Sequence, residues 1–116
     1  MVEEEMATDA KRLIGVWRVL GVDYDFYHQF NEDGTLRAAR SPDLFADSPL
    51  FTGEFWFDDG QLYINETEVN DITPRGDEPG IYDAHILASG RLRLTKIEDA
   101  CEARVDATQR EHERVR

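Results

Sequence analysis

The chain has 116 residues, 41% of them hydrophobic and 10% aromatic, and its 25 acidic against 13 basic side chains give a formal net charge of −12. That length fits one domain around one core, and the acidic surface repels phosphate backbones and anionic bilayers, which argues against nucleic-acid and membrane partners. A single cysteine, Cys101, rules out an internal disulfide, and the acidic start lacks the basic and apolar segments of a signal peptide, so a reducing cytoplasm is the expected setting.

Residues 1–8 are polar and are expected to form a disordered acidic head, leaving residues 9–116 as the single domain. Thr8 or Asp9 can cap a short helical turn before Gly15 interrupts it. Strand-like runs follow. Ile14, Val16, Trp17, Val19 and Val22 mark one, and residues 24–30 mark another. In the second run Tyr24, Phe26, His28 and Phe30 share a parity, so a strand there would line one face with all four. The segment Asn31-Glu32-Asp33-Gly34-Thr35 is a hairpin turn, because Asp-Gly supplies the positive φ that tight hairpins need.

Leu36, Ala38 and Arg40 alternate along the next strand. Residues 41–49, with two prolines, read as a long loop whose Leu44 and Phe45, with Leu50 and Phe51 beyond it, are apolar enough to fold over a barrel mouth. Residues 51–57 form a further strand, closed by Asp58-Asp59-Gly60. Leu62 and Ile64 lie on its hairpin partner, and residues 70–80 read as a polar loop. Residues 81–88 and 91–97 make the last clear hairpin, around Ser89-Gly90. The tail is open to two readings. Ala103, Val105 and Ala107 alternate as in a closing strand, the favoured reading, while Ala, Glu, Arg and Gln are good helix formers.

Seven or eight strands with no helix long enough to cover a sheet point to an all-β fold, an antiparallel up-and-down barrel of about eight strands that buries its inner face and removes its edges. The run Leu13-Ile14-Gly15-Val16-Trp17, after a short helical turn, resembles the Gly-x-Trp motif that opens lipocalin-like (calycin) barrels. Phe30-Asn31-Glu32-Asp33-Gly34-Thr35-Leu36 is similar to the second hairpin of small bacterial members of that group. The Thr-Asp-x-x-x-Tyr motif of classical lipocalins is absent; Pro79-Gly80-Ile81-Tyr82-Asp83 does not match it. The resemblance implies that Trp17 closes one barrel end beneath an arginine from the last strand, for which Arg104 is the best match, held by cation–π attraction.

The expected interior set is Tyr24, Phe26, His28, Phe30, Ala38, Arg40, Phe55, Phe57, Leu62, Ile64, Tyr82, Ala84, Ile86 and Leu94. Apolar walls with few polar anchors describe a small-molecule pocket. The leading expectation is therefore binding of a small hydrophobic or amphipathic molecule inside the barrel, without a cofactor. The alternative is a cofactor-independent isomerase or cyclase using the same cavity, with His28, Arg40 and Tyr82 as acid–base or anchoring groups. The three scattered histidines and one cysteine carry no metal-ligand spacing. Trp56 falls on the opposite face from Phe55 and Phe57, beside Glu54 and Asp58, and suggests a homodimer contact.

Overall fold

The computed structural model describes residues 4–7, 10–47, 49–69 and 78–115. It is a closed eight-stranded antiparallel barrel, as the alternating pattern predicts. The barrel strands are β2 (Gly15–Val19), β3 (Tyr27–Phe30), β4 (Thr35–Ala39), β5 (Phe51–Asp58), β6 (Gln61–Val69), β7 (Gly80–Leu87), β8 (Leu92–Glu98) and β9 (Glu111–Arg114). Each pairs with the next in chain order, and β9 closes the ring on β2 through Trp17↔Arg114 and Val19↔His112. A single turn of 3-10 helix, Ala10–Arg12, precedes β2. Among the described residues no helix is long and apolar enough to cross a membrane.

The turns behave as their chemistry requires. At the β5–β6 hairpin Asp59 (φ 52°) and Gly60 (φ 77°) both take positive φ, which matches the twist of the flanking strands. At the β3–β4 hairpin Asp33 Oδ1 accepts from the Thr35 backbone N–H and hydroxyl at 2.9 and 2.6 Å, and these bonds hold its carboxyl below the usual range.

Alternation along each strand sends one parity inward. Phe30, Leu36, Ala38, Phe55, Leu62, Ile64, Ala84, Leu92 and Leu94 are all buried in one core cluster, with Phe57 and Ile86 partly buried against it. A smaller cluster of Val16, Ala39 and Phe45 lies on the opposite parity, where a second 3-10 turn, Pro42–Leu44, folds the loop against the barrel wall. The loop was expected to cover a barrel mouth. Instead Phe45 packs outside the barrel, Leu44 is exposed, and only Leu50 and Phe51 reach the main core.

Three further expectations are corrected. Residues 4–7 of the head are not disordered but form β1 (Glu4–Ala7), antiparallel to β7 from Glu4↔Leu87 to Ala7↔Ala84. The reason is an unfilled edge: β6 pairs with β7 only at Gly80, Ile81 and Tyr82, and β1 takes the rest. The favoured strand at Ala103 is helix α1 (Glu102–Thr108), and the closing strand comes later, at β9. Finally, Arg104 does not lie over Trp17. Arg114 does, with its guanidinium carbon 4.3 Å from the ring centroid. Arg104 sits on α1, whereas Arg114 ends β9 in direct register with Trp17. The implied device is present with a different arginine: Arg114 also donates to the carbonyls of Ile14 and Arg12 (2.9 Å each), while the Trp17 indole N–H donates to Leu13 O at 2.9 Å. Together these bonds satisfy the carbonyls left free where the 3-10 turn ends. The loop expected at residues 70–80 falls mostly outside the described residues, which resume at residue 78.

Candidate functional site

The expected interior set converges inside the barrel with two exceptions. Val19 N–H bonds Phe26 O at 2.8 Å, and β3 begins only at Tyr27, so residues 21–25 are a bend in which strand parity carries no meaning. Tyr24 is accordingly 42% exposed. Arg40, just past the end of β4, is exposed too and lies over the Tyr24 ring at 5.4 Å. Tyr24 was expected inside, and Arg40 either inside as an anchor or, the favoured alternative, in solvent at the rim; they form a stacked pair on the rim.

His28 is the polar centre of the remaining set. It is 1% exposed on β3, with ring centroids of Phe26, Phe30 and Phe51 at 5.1, 6.1 and 6.0 Å. Its partner was not anticipated. His112 on β9, wholly buried, stacks on it at 5.2 Å, and His28 Nδ1 lies 3.0 Å from His112 Nε2. The signal was present in Glu111-His112-Glu113, where a lone His between carboxylates has strand alternation, but no apolar residue among 109–114 marks an inward face. Phe51 shares the parity of Phe55 and Phe57 and belongs to the same shell.

Burial opposes the charged form of both rings. It brings the pKa of His112 down to about 4, with the bond to the Arg110 carbonyl acting weakly the other way. Burial, and then the neighbouring His112, hold His28 well below its ordinary value. The pair is therefore neutral at physiological pH.

A second buried cluster lies beside α1. Arg104 grips Asp99 with two hydrogen bonds, Nε to Oδ2 at 2.7 Å and Nη2 to Oδ1 at 2.6 Å. It also donates to Glu66 Oε1 at 3.3 Å and to the Glu78 carbonyl at 2.6 Å. The Tyr82 hydroxyl donates to Asp99 Oδ2 at 2.5 Å. Arg104 and Thr108, four apart on α1 and both buried, form the helix face turned into this cluster. Burial opposes ionisation of Asp99, but the hydrogen bonds from Arg104, Tyr82 and the Cys101 N–H outweigh it and hold the carboxyl low. Tyr82 is driven strongly upward, by burial first and then by its bond to Asp99 and that carboxylate's charge. A phenol whose proton is held this firmly is not an acid near neutral pH. A side chain at Gly80 would collide with Asp99 and with the Tyr82 ring, so glycine there lets β7 pass close to the cluster.

The three groups considered for acid–base work thus have separate surroundings: His28 on His112, Tyr82 on Asp99, Arg40 on Tyr24. Among the described residues no group of three or more His, Cys, Asp or Glu side chains is placed to hold a metal. A surface cleft of about 540 Å³ runs between α1 and β8, past Lys96, Glu102, Asp106 and Arg110. In it Arg110 bonds Asp106 and the Gly21 carbonyl. Trp56 faces outward as expected and stacks on Tyr63 at 5.5 Å and 14°.

A scan against protein-family models finds no match, and searches of curated proteins and of solved structures find none either. The barrel is compatible with a calycin-like fold.

Proposed function

We propose that this is a lipocalin-like binding protein of the reducing cytoplasm that takes up a small apolar or amphipathic molecule beside His28, among Phe26, Phe30 and Phe51. The observation that carries the reading is a buried histidine set among aromatic rings. His28 is 1% exposed, and its Nδ1 is paired with His112 Nε2 at 3.0 Å. Apolar walls with few polar anchors describe a small-molecule pocket. Among the buried hydrophobic side chains Phe26 and Phe51, at 7% each, are the least enclosed, the others lying at 0–4% exposure. A guest therefore enters by displacing one of these two rings, and its size is limited to about one aromatic ring, in keeping with the interior of an eight-stranded barrel. Titration with p-xylene, followed by amide chemical shifts, tests this. Saturable shifts centred on Phe26, His28 and Phe51 are expected, and a Phe51→Trp variant should weaken binding at least about tenfold by filling the space. Absence of saturable shifts at these positions, or binding untouched by Phe51→Trp, would remove the reading.

The exposed Trp56–Tyr63 stack supports a second, independent reading, a homodimer through the outer face of β5 and β6. Trp56 is 37% exposed, and Glu54 and Asp58 flank it on the same face. Two such faces would bring like charges together, so association should strengthen with salt and vanish in Trp56→Ala. Sedimentation equilibrium at low and high salt checks it; a monomer in both excludes this interface.

A further inference from the structure

The strand that closes the barrel has a titratable anchor. On β9 only His112 is buried; Glu111, Glu113 and Arg114 are exposed, so no apolar side chain of β9 points inward. His112 meets His28 of β3 across β2. A hydrogen bond between two imidazoles needs one nitrogen with a proton and one without. When both rings are charged every nitrogen carries a proton, so the 3.0 Å contact loses its acceptor and two cations stack at 5.2 Å. The groups that face the pair are uncharged: Trp17 and Val19 of β2, Ala38 of β4, Phe51 of β5, Leu92 of β8, and Phe26. The titratable side chains Arg18, Tyr27, Arg37, Glu54, Asp58, Arg93, Glu111 and Glu113 on these strands have the opposite parity, and Lys96 and Glu98 are exposed at the other end of β8. The inward cluster of Tyr82, Asp99, Arg104 and Glu66 is bonded to itself.

Both ends of the closing segment are clamped toward β2. Arg110 Nη1 donates to the Gly21 carbonyl at 2.7 Å, and Arg114 donates to the carbonyls of Ile14 and Arg12 at 2.9 Å each. Leu20 N–H to the Glu111 carbonyl (2.9 Å) and Val115 N–H to the Val16 carbonyl (2.8 Å) extend that ladder at either end. Toward β8 the register runs from Leu92↔His112 to Arg93↔Glu111, followed by Leu94 N–H to the Arg110 carbonyl at 3.2 Å and an exposed bond from Lys96 N–H to the Gln109 side chain. The Arg91–Glu111 ion pair on that side is 3.6 Å long with side chains 48% and 45% exposed, so it adds little. We propose that the β8–β9 seam is a proton-operated opening: when the His28–His112 pair takes up protons, β9 parts from β8, stays on β2 and exposes the barrel interior while the other strands remain paired. His112 then lies on a strand edge that water reaches. The opening needs no guest and stands apart from the binding reading. It also differs from a general loss of stability in acid, because one seam yields before the fold does.

Amide hydrogen exchange on the unsubstituted protein decides it, each rate divided by that of an unstructured chain at the same pH. Leu94 N–H reports the β8–β9 seam, Leu20 N–H the β2–β9 seam, and Phe55 N–H, bonded to the Gly34 carbonyl, the opposite side of the barrel. His112 titrates at about 4 when enclosed and near 6.5 when exposed, so its share alone should raise opening at Leu94 about thirtyfold from pH 7.5 to pH 5. Unfolding of the whole chain grows with acid in the same way, and a second readout separates the two. At pH 5 Leu94 should be at least about tenfold less protected than Leu20 and Phe55. Its exchange should hardly respond to low concentrations of urea, to which theirs responds steeply, because parting one seam exposes little surface. In His112→Leu, whose side chain takes up no proton, the acid rise at Leu94 should shrink at least about tenfold. Leu94 matching Phe55 in protection and in urea response would mean that the barrel opens only by unfolding as a whole, and would overturn the proposal. Leu20 losing protection together with Leu94 would also overturn it, as would a rise unchanged in His112→Leu. Should that variant fail to fold, the three amides of the unsubstituted protein still decide.

Discussion

Replacing Arg104 with alanine should lower the folding stability by about 3–5 kcal/mol, read as a fall in the urea midpoint with little change in the slope of the transition. The size follows from what the substitution leaves behind. The side chains of Arg104 and Asp99 are 2% and 0% exposed, and that of Glu66 is 2%. Removing the guanidinium strands the Asp99 carboxylate without the paired bond that balances its desolvation, and it frees the Glu78 carbonyl from a donor. Arg104→Lys should recover only part of the loss, because an ammonium cannot reproduce the planar two-bond grip. Tyr82→Phe removes a single hydroxyl bond and should cost about 1 kcal/mol. A loss below about 1 kcal/mol in Arg104→Ala would mean that the cluster relaxes into water, contrary to its burial.

The second large effect is acid sensitivity beginning well above the carboxylate range. In the unfolded chain His112 titrates near 6.5; in the barrel it does so at about 4. Between these values the unfolded state binds a proton that the folded state does not, so stability is complete above about pH 6.5 and falls as pH drops toward 4. For His112 alone the loss over that window is about 3 kcal/mol. His28, shifted in the same direction, adds to it. Asp99 acts in a lower window: its depressed pKa stabilises the fold above the ordinary carboxylate value and that contribution is lost as pH falls through the folded value. Urea unfolding at pH 7.5, 6, 5 and 4.5 measures the slope, and His112→Gln should flatten it. Equal stability at pH 7.5 and 5 in the unsubstituted protein would contradict a neutral buried pair.

Much of the barrel was legible because its local signals agree. Period-two alternation in residues 51–57 and 81–87, broken by Asp59-Gly60 and Ser89-Gly90, admits few other readings, and the inward parity from Phe26 to Leu94 is realised almost throughout. The failures share a cause: in each, the deciding partner is distant in sequence. Tyr24 and Arg40 continue an alternating pattern past the point where pairing stops, and only the register of β3 and β4 shows where that is. Ala103, Val105 and Ala107 alternate, yet Arg104 and Thr108 are one helical turn apart, and the ion cluster awaiting Arg104 favours the helix. Residues 4–7 look like a solvated head until the unpaired edge of β7 is seen. His112 is invisible as a partner for His28 because the contact spans 84 positions. Composition and spacing report on neighbours in the chain, whereas this site is assembled by barrel closure.

That closure has a consequence for the chain as it is made. The ring shuts only when β9 reaches β2, and the guanidinium of Arg114 seals carbonyls as far back as Arg12, 102 positions earlier. Until residues 111–114 have left the ribosome, β2 offers an open edge and the inner faces of the other strands lack their last neighbour. The decisive step of folding therefore waits for β9, and it is slow for a chain of this size because its closing contacts are non-local. For the duration of synthesis the apolar interior depends on chaperones or on the chain's dense negative charge to keep it from its neighbours.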